Sequence, residues 1–223
     1  MDSHFELQLN ELKQRLLTMA NHAEMAVSRA MQALLQRDGA LALQVKQGDR
    51  VIDQFEVEID DLVIQQLTKA PLATDLRLVT AAIKIAHNLE RVGDEASKIA
   101  KRAADLCREP PIKIQVDVPG LAALTLDLLK AALDALGHSD PAAARAVIPR
   151  DKEVDLLNLQ IHRTLAEYMV GHPDTIKRCL HWMVVAKSLE RIADHATNIA
   201  EDVVYLYTAE EIRHTGAKSG NVI

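Results

Sequence analysis

The sequence predicts an all-α protein built as two tandem three-helix bundles, six long helices in total, on three observations. A fifteen-residue stretch occurs twice, AHNLERVGDEASKIA from Ala86 to Ala100 and AKSLERIADHATNIA from Ala186 to Ala200, with eight positions identical at an offset of 100. Repetition at a fixed offset marks a duplicated structural unit. Apolar residues recur at alternating spacings of three and four, as Leu78, Ala82, Ile85, Leu89, Val92, Ala96, Ile99, Ala103 and Leu106 around the first copy. Trp182, Val185, Leu189, Ile192, Ala196, Ile199, Val203 and Leu206 follow the same rule around the second, and this is the pattern of a bundle seam. Finally, aromatic residues make up only 3% of the 223 residues and there are eight glycines, too few for a turn-rich β protein.

The elements follow in order. Ser3 to Gln36 reads as one long amphipathic helix, with Leu9, Leu12, Leu16, Met19, Ala23, Ala26, Ala30 and Ala33 on its inner face. Asp38 can cap a second helix reaching about Thr68, whose Ile52, Phe55, Ile59 and Leu62 face the core. Ala70-Pro71 stops it, and Thr74 or Asp75 can cap the third, which carries the first marker to Leu106. From Cys107 to Gly120 three prolines and a short apolar-polar alternation suit an extended linker. A shorter fourth helix runs from Leu121 to Leu136, then Ser139-Asp140-Pro141 supplies a cap and first-turn proline. The fifth helix should reach about Val170, kinked at Pro149, with Gly48 a weak point at the neighbouring place in the second helix. After His172-Pro173 the sixth carries the second marker to about Tyr207. The expected division is therefore a first bundle at 1–107, a linker at 108–120, a second bundle at 121–208 and a frayed tail at 209–223.

A net charge of −6 argues against a broad nucleic-acid-binding surface. Two cysteines, Cys107 and Cys179, lack the number and spacing of a disulfide framework or a zinc site and read as reduced thiols. The N-terminal segment has no apolar core of a signal peptide, and nowhere does an uncharged apolar run reach the ~18 residues that span a bilayer. The expectation is a cytoplasmic protein. Bundles of three helices each bury little, which leaves room for a homodimer.

The acids are patterned. Glu90/Asp94 and Glu190/Asp194 are E-x-x-x-D pairs in the two markers, and Asp49/Asp53 and Asp151/Asp155 are D-x-x-x-D pairs in the preceding helices. Residues four apart share a helix face, where like charges cost about 0.2–0.5 kcal/mol. If the helices pack through their seams, four carboxylates converge at the rim of each bundle, and a hard cation taking oxygen ligands would relieve their repulsion. Magnesium, manganese, calcium and iron suit such a set better than zinc. The alternative is an ordinary solvated face, with Arg91, Arg191, Lys101 and Lys187 supplying surface ion pairs.

Catalysis has no visible machinery. Nucleophile elbow, glycine-rich phosphate loop and Ser/His/Asp set are all missing from the pattern, and a di-iron oxidase would use Glu-x-x-His pairs. A metal-dependent enzyme or metal-storage bundle is the runner-up reading. Pro71, Asp75 and Arg77, in the run PLATDLR, admit two readings, a partner surface or a proline break followed by an Asp cap.

PLATDLR at 71–77, NLERVGDEASKIA at 88–100, RDKEVDLL at 150–157 and SLERIADHATNIAEDVVYLY at 188–207 closely resemble the PhoU family of phosphate-uptake regulators. One departure is Ala193, where the family usually has glycine. The resemblance implies a non-enzymatic cytoplasmic adaptor whose acid motifs hold metal ions or multinuclear clusters. It also implies partners, namely the ATPase of a phosphate ABC transporter and a sensor histidine kinase. Through them such a protein reaches the membrane and represses the phosphate-starvation response.

Overall fold

The computed structural model describes residues 3–67 and 73–213. Among these residues there are seven α-helices in chain order: α1 (Ser3–Gln36), α2 (Gly39–Leu67), α3 (Ala73–Cys107), α4 (Val118–His138), α5 (Pro141–Val147), α6 (Asp151–Gly171) and α7 (Ile176–Thr208). Single 3₁₀ turns at Ile148–Arg150 and Pro173–Thr175 complete the second half. Helices α1, α2 and α3 pack on one another, and α4 to α7 do the same.

Turn chemistry sets the helix starts. Asp38 accepts from the backbone amides of Ala40 and Leu41, both at 2.9 Å, so it caps α2 as its position suggested. Asp140 does the same for α5, accepting from Ala142 and Ala143 at 2.9 and 3.0 Å, with Pro141 in the first turn. In the linker Asp117 accepts from Gly120 at 3.0 Å, so α4 begins at Val118, three residues ahead of the expected Leu121.

The single kinked helix expected from Pro141 to Val170 is broken instead. Pro149 lacks an amide hydrogen, and the chain tightens into a 3₁₀ turn before α6 starts at Asp151. Gly48 makes no such break. Helix α2 runs through it, held by buried Val45 and Ile52 on either side. The seam residues of both markers are buried, except that Leu78 and Trp182 are half-exposed at the helix starts.

Arg37, in the left-handed conformation at φ 55°, closes the α1–α2 reversal. Its guanidinium donates to the carbonyls of Leu106, Cys107 and Glu109, where α3 ends and the linker begins. One side chain thus satisfies carbonyls that the end of a helix leaves without partners.

The two bundles meet through α3 and α7. Arg191 donates to Glu95 at 3.2 Å, His195 Nδ1 lies 3.0 Å from Asn88 Oδ1, and Lys84 Nζ lies 3.8 Å from Asp202. Arg102 Nη1 lies 3.2 Å from His181 Nδ1. As the α3 numbers rise the α7 numbers fall, so the helices are antiparallel. Contacts between them are as extensive as those inside either bundle. Glu95 is only 4% exposed. Burial opposes its charge, but Lys98, Ser188 and Arg191 outweigh that and hold its carboxyl below the usual range. Asp202, 3% exposed, goes the other way: burial pushes it up to about 6 despite Lys84 and Arg213.

Residues 209–213 turn back against the second bundle. Ala209 adopts φ 58°, Glu210 pairs with Arg145, and Arg213 lies 3.8 Å from Asp202. The remainder of the expected tail lies outside the described residues. Among the described residues no helix is long and apolar enough to cross a membrane.

Candidate metal-binding rims

Antiparallel packing of α2 on α3 brings the first acid pairs together. Asp49 feels the charges of Asp53 on its own helix and Asp94 on the next. Burial comes first in raising its pKa, the two neighbouring carboxylates add to it, and the Ser97 hydroxyl and Lys98 work against it. Glu90 is raised by burial and by Asp94, with Glu56 contributing more weakly. The approach is close because Gly93 has no side chain. A methyl group there would lie 2.8 Å from Ile52 Cδ1 and 3.1 Å from Asp49 Oδ1.

The second rim repeats the arrangement. Asp151 is raised by burial, Asp155 and Glu190. Asp194 is pushed up to about 6 by burial and by Glu190, Asp151 and Asp155, with Lys187 opposing. The acid pairs of adjacent helices therefore repel one another in each module, Asp49 and Asp53 with Asp94 beside Glu90 in one and Asp151 and Asp155 with Glu190 and Asp194 in the other, but among the described residues neither set brings three ligand atoms within 4.8 Å of one another.

The donor set is all oxygen and strained by its own charge. Asp151 Oδ1 is shielded from solvent with no hydrogen-bond partner, as is Asn158 Oδ1 about two turns further along α6. Such atoms cost free energy unless a proton or a cation meets them. These residues fit a hard cation.

Cations of the chain answer part of the charge. Arg91 Nε lies 3.3 Å from Glu90 and its Nη1 3.4 Å from Asp94, while Lys187 Nζ lies 2.5 Å from Glu190. Arg191 is engaged across the junction instead. In the first rim His87 and Glu56 stand beside Glu90, and one potential ligand atom from each of the three lies within 4.8 Å of the others. An open groove of about 790 Å³ places Asp151 and Asp194 along one wall with junction residues Glu95, Arg191 and His195. The second rim thus opens onto the contact between bundles.

Asp75 lies half-buried in the first turn of α3, and Arg77 is half-buried two residues on. Pro71 lies outside the described residues. The seam reading misses the polar junction altogether. Its signal is present as a second stripe on α3, Lys84, Asn88, Arg91, Glu95, Lys98 and Arg102, at spacings of four, three, four, three and four. Charged stripes usually face water, so spacing alone does not distinguish this one.

Comparison with known proteins decides the family. A family model for the PhoU domain matches residues 16–103 and 118–203, one match per half. The chain belongs to the PhoU family. It is 38% identical over 220 residues to a PhoU homologue of Pseudomonas putida, covering 98% of this chain and 86% of that one. A Caulobacter vibrioides homologue is 40% identical over 207 residues, covering 92% and 90%. Both are described as phosphate-specific transport system accessory proteins. The crystal structure of PhoU from Pseudomonas aeruginosa superposes with a TM-score of 0.90 at 38% identity, covering 92% of this chain and all of that one. A phosphate transport system regulatory PhoU from Streptococcus pneumoniae gives 0.85 at 26% identity, covering 93% and 99%. PhoU-family membership carries a non-catalytic regulatory role in phosphate signalling, and the two three-helix bundles are those of the PhoU fold.

Proposed function

We propose that this protein is a cytoplasmic adaptor binding the ATPase of a phosphate ABC transporter and a sensor histidine kinase, and so represses the phosphate-starvation response. Its acid rims would hold Mg, Mn, Fe or Ca through Asp49, Asp53, Glu90 and Asp94 in the first module and Asp151, Asp155, Glu190 and Asp194 in the second. The observation that supports this reading is the matching register of the acid pairs in both halves of a PhoU-family chain, where acids on adjacent helices raise one another's pKa.

Bound metal would neutralise the carboxylates and stiffen the contacts between α2 and α3 and between α6 and α7. Because the second rim shares a groove with the junction, its charge state can bias how α3 sits on α7. A partner that prefers one junction geometry would then read the metal, since binding shifts a population only through differential affinity. Pro71, Asp75 and Arg77, before and in the first turn of α3, are the proposed partner contacts. Exposed Val57 and Ile64 on α2 and Leu156 and Leu159 on α6 offer apolar surface to a partner or to a second copy in a homodimer. The units proposed for these roles are residues 1–107 and 121–208.

The test is co-precipitation at high phosphate with the purified transporter ATPase and the kinase, using wild type and Asp94→Ala/Asp194→Ala, with metal measured by elemental analysis. Capture of both partners by wild type and metal loss with weaker capture in the variant are expected. Failure of wild type to capture either partner sinks the adaptor reading. Equal metal content in the two proteins sinks the rims.

A further inference from the structure

The two rims differ in the side chains beside Glu90 and Glu190, and the difference has a chemical meaning. On α3, His87 precedes Glu90 by three residues, which puts imidazole and carboxylate on one face about a turn apart. Helix α2 brings Glu56 to the same spot, with Oε1 3.3 Å from His87 Nδ1. In the second module the offset of 100 on α7 places Lys187 where His87 stands. The offset of 102 on α6 places Asn158 where Glu56 stands. Lys187 Nζ then meets Glu190 Oε2 at 2.5 Å.

Charge follows from those substitutions. The second module matches one carboxylate, Glu190, with one ammonium. The first sets Glu56 and Glu90 against one guanidinium, that of Arg91, which leaves a negative charge beside a ring nitrogen. Where one half has a cation of its own, the other has two carboxylates and an imidazole converging within 4.8 Å.

We propose that Glu56, His87 and Glu90 form a transition-metal site belonging to the first module, and that Lys187 takes the place of the ion in the second. Imidazole shifts the preference from the hard cations of an all-oxygen set toward Mn(II), Fe(II), Co(II), Ni(II) and Zn(II). The helical presentation is the reverse of the Glu-x-x-His pair of di-iron bundles, with both ligands still on one face. Side-chain exposures of 56% for His87, 28% for Glu56 and 17% for Glu90 leave room for water to complete the coordination and for the ion to exchange. The site shares only Glu90 with the acid rim and does not depend on that rim binding metal.

Cobalt(II) is the probe, because the position and intensity of its visible absorption depend on its ligands and geometry, so loss of an imidazole ligand changes the spectrum. Metal-free full-length protein is titrated with Co(II), followed by absorbance and calorimetry. Wild type is expected to develop a visible band that saturates at one equivalent, whatever further Co(II) the all-oxygen rims take up, and His87→Ala or Glu56→Gln to lose the band and weaken that equivalent by about tenfold or more. Glu167→Gln, at an exposed position on α6 away from both rims, should leave it unchanged. The double variant Asn158→Glu/Lys187→His should gain a second equivalent. Unchanged affinity and spectrum in His87→Ala would mean that the imidazole is only an ion-pair partner of Glu56, and the proposal fails. Absence of any Co(II) equivalent in wild type fails it equally. Magnesium or manganese content lost in Asp94→Ala/Asp194→Ala but kept in His87→Ala reports on the acid rims separately. Circular dichroism confirms that these surface variants fold.

Discussion

The first module closes α2 against a glycine and sets its acids beside a histidine, whereas the second has a buried alanine at the equivalent place and sets its acids beside a lysine. Both set acids of adjacent helices against one another. Duplication preserved the spacing that places charge, while the residues around it drifted to different solutions of one electrostatic problem. Register thus marks what the two halves share, and the neighbours mark how they differ.

The comparison breaks first if the modules are independent. Leu89 and Leu189 are equivalent and fully buried, so alanine at either should cost about 2–5 kcal/mol. Calorimetry should find each variant lowering one shared transition, because α3 and α7 join the bundles along much of their length. Two transitions, only one of them displaced, would show that the halves unfold separately.

The junction gives a smaller effect and an asymmetric one. Glu95→Gln removes a buried carboxylate that Lys98, Ser188 and Arg191 stabilise, at a cost of about 1–3 kcal/mol. At the equivalent position His195→Gln loses one bond to Asn88 and should cost about 1 kcal/mol or less. Urea denaturation measures both, and equal losses would mean the two polar clusters carry the junction alike.

Exchange of Gly93 and Ala193 sharpens the comparison further. Gly93→Ala gains about 1 kcal/mol of helix propensity but crowds Ile52 and Asp49. The net result should be a loss of about 1 kcal/mol, with less metal in the first rim. Ala193→Gly should lose about 1 kcal/mol from propensity alone and leave metal content unchanged. Thermal melts with elemental analysis separate the two effects.

The pH response is the smallest. In metal-free protein Asp194 titrates near 6 when folded, above its ordinary 3.8. The folded state therefore holds this proton more tightly than the unfolded state. Asp194 contributes stability as pH falls through about 6, completely below about 4, and contributes none of it above 6. Asp194→Asn should melt higher than wild type at pH 7.5, with the gap narrowing toward pH 5. A constant gap would place the repulsion elsewhere. Protons and metal compete for the same oxygens, so metal affinity should fall over the same range.

Much of this was legible beforehand because period and caps are local. The seam spacing of three and four, the Asp38 and Asp140 caps and the acid pairs each depend on a few neighbouring residues. Pro149 was recognisable as a disturbance, but whether a helix bends or breaks depends on how neighbouring helices hold each side. The polar junction needed the tertiary structure, since Glu95 and Asp202 resemble surface acids until α3 and α7 are seen together. The Glu56–His87–Glu90 group was hidden for the same reason, its members coming from two helices.

Arg37 has a further consequence. By gripping the carbonyls of residues 106, 107 and 109 it leaves only residues 110–116 to span from there to the start of α4, a segment that even peeled off the core and fully extended reaches at most about 25 Å. A tether that short keeps each half at an effective concentration in the millimolar range near the other. A regulator that prised α3 from α7 would be competing against that concentration, and once its grip relaxed the halves would rejoin without having to find each other.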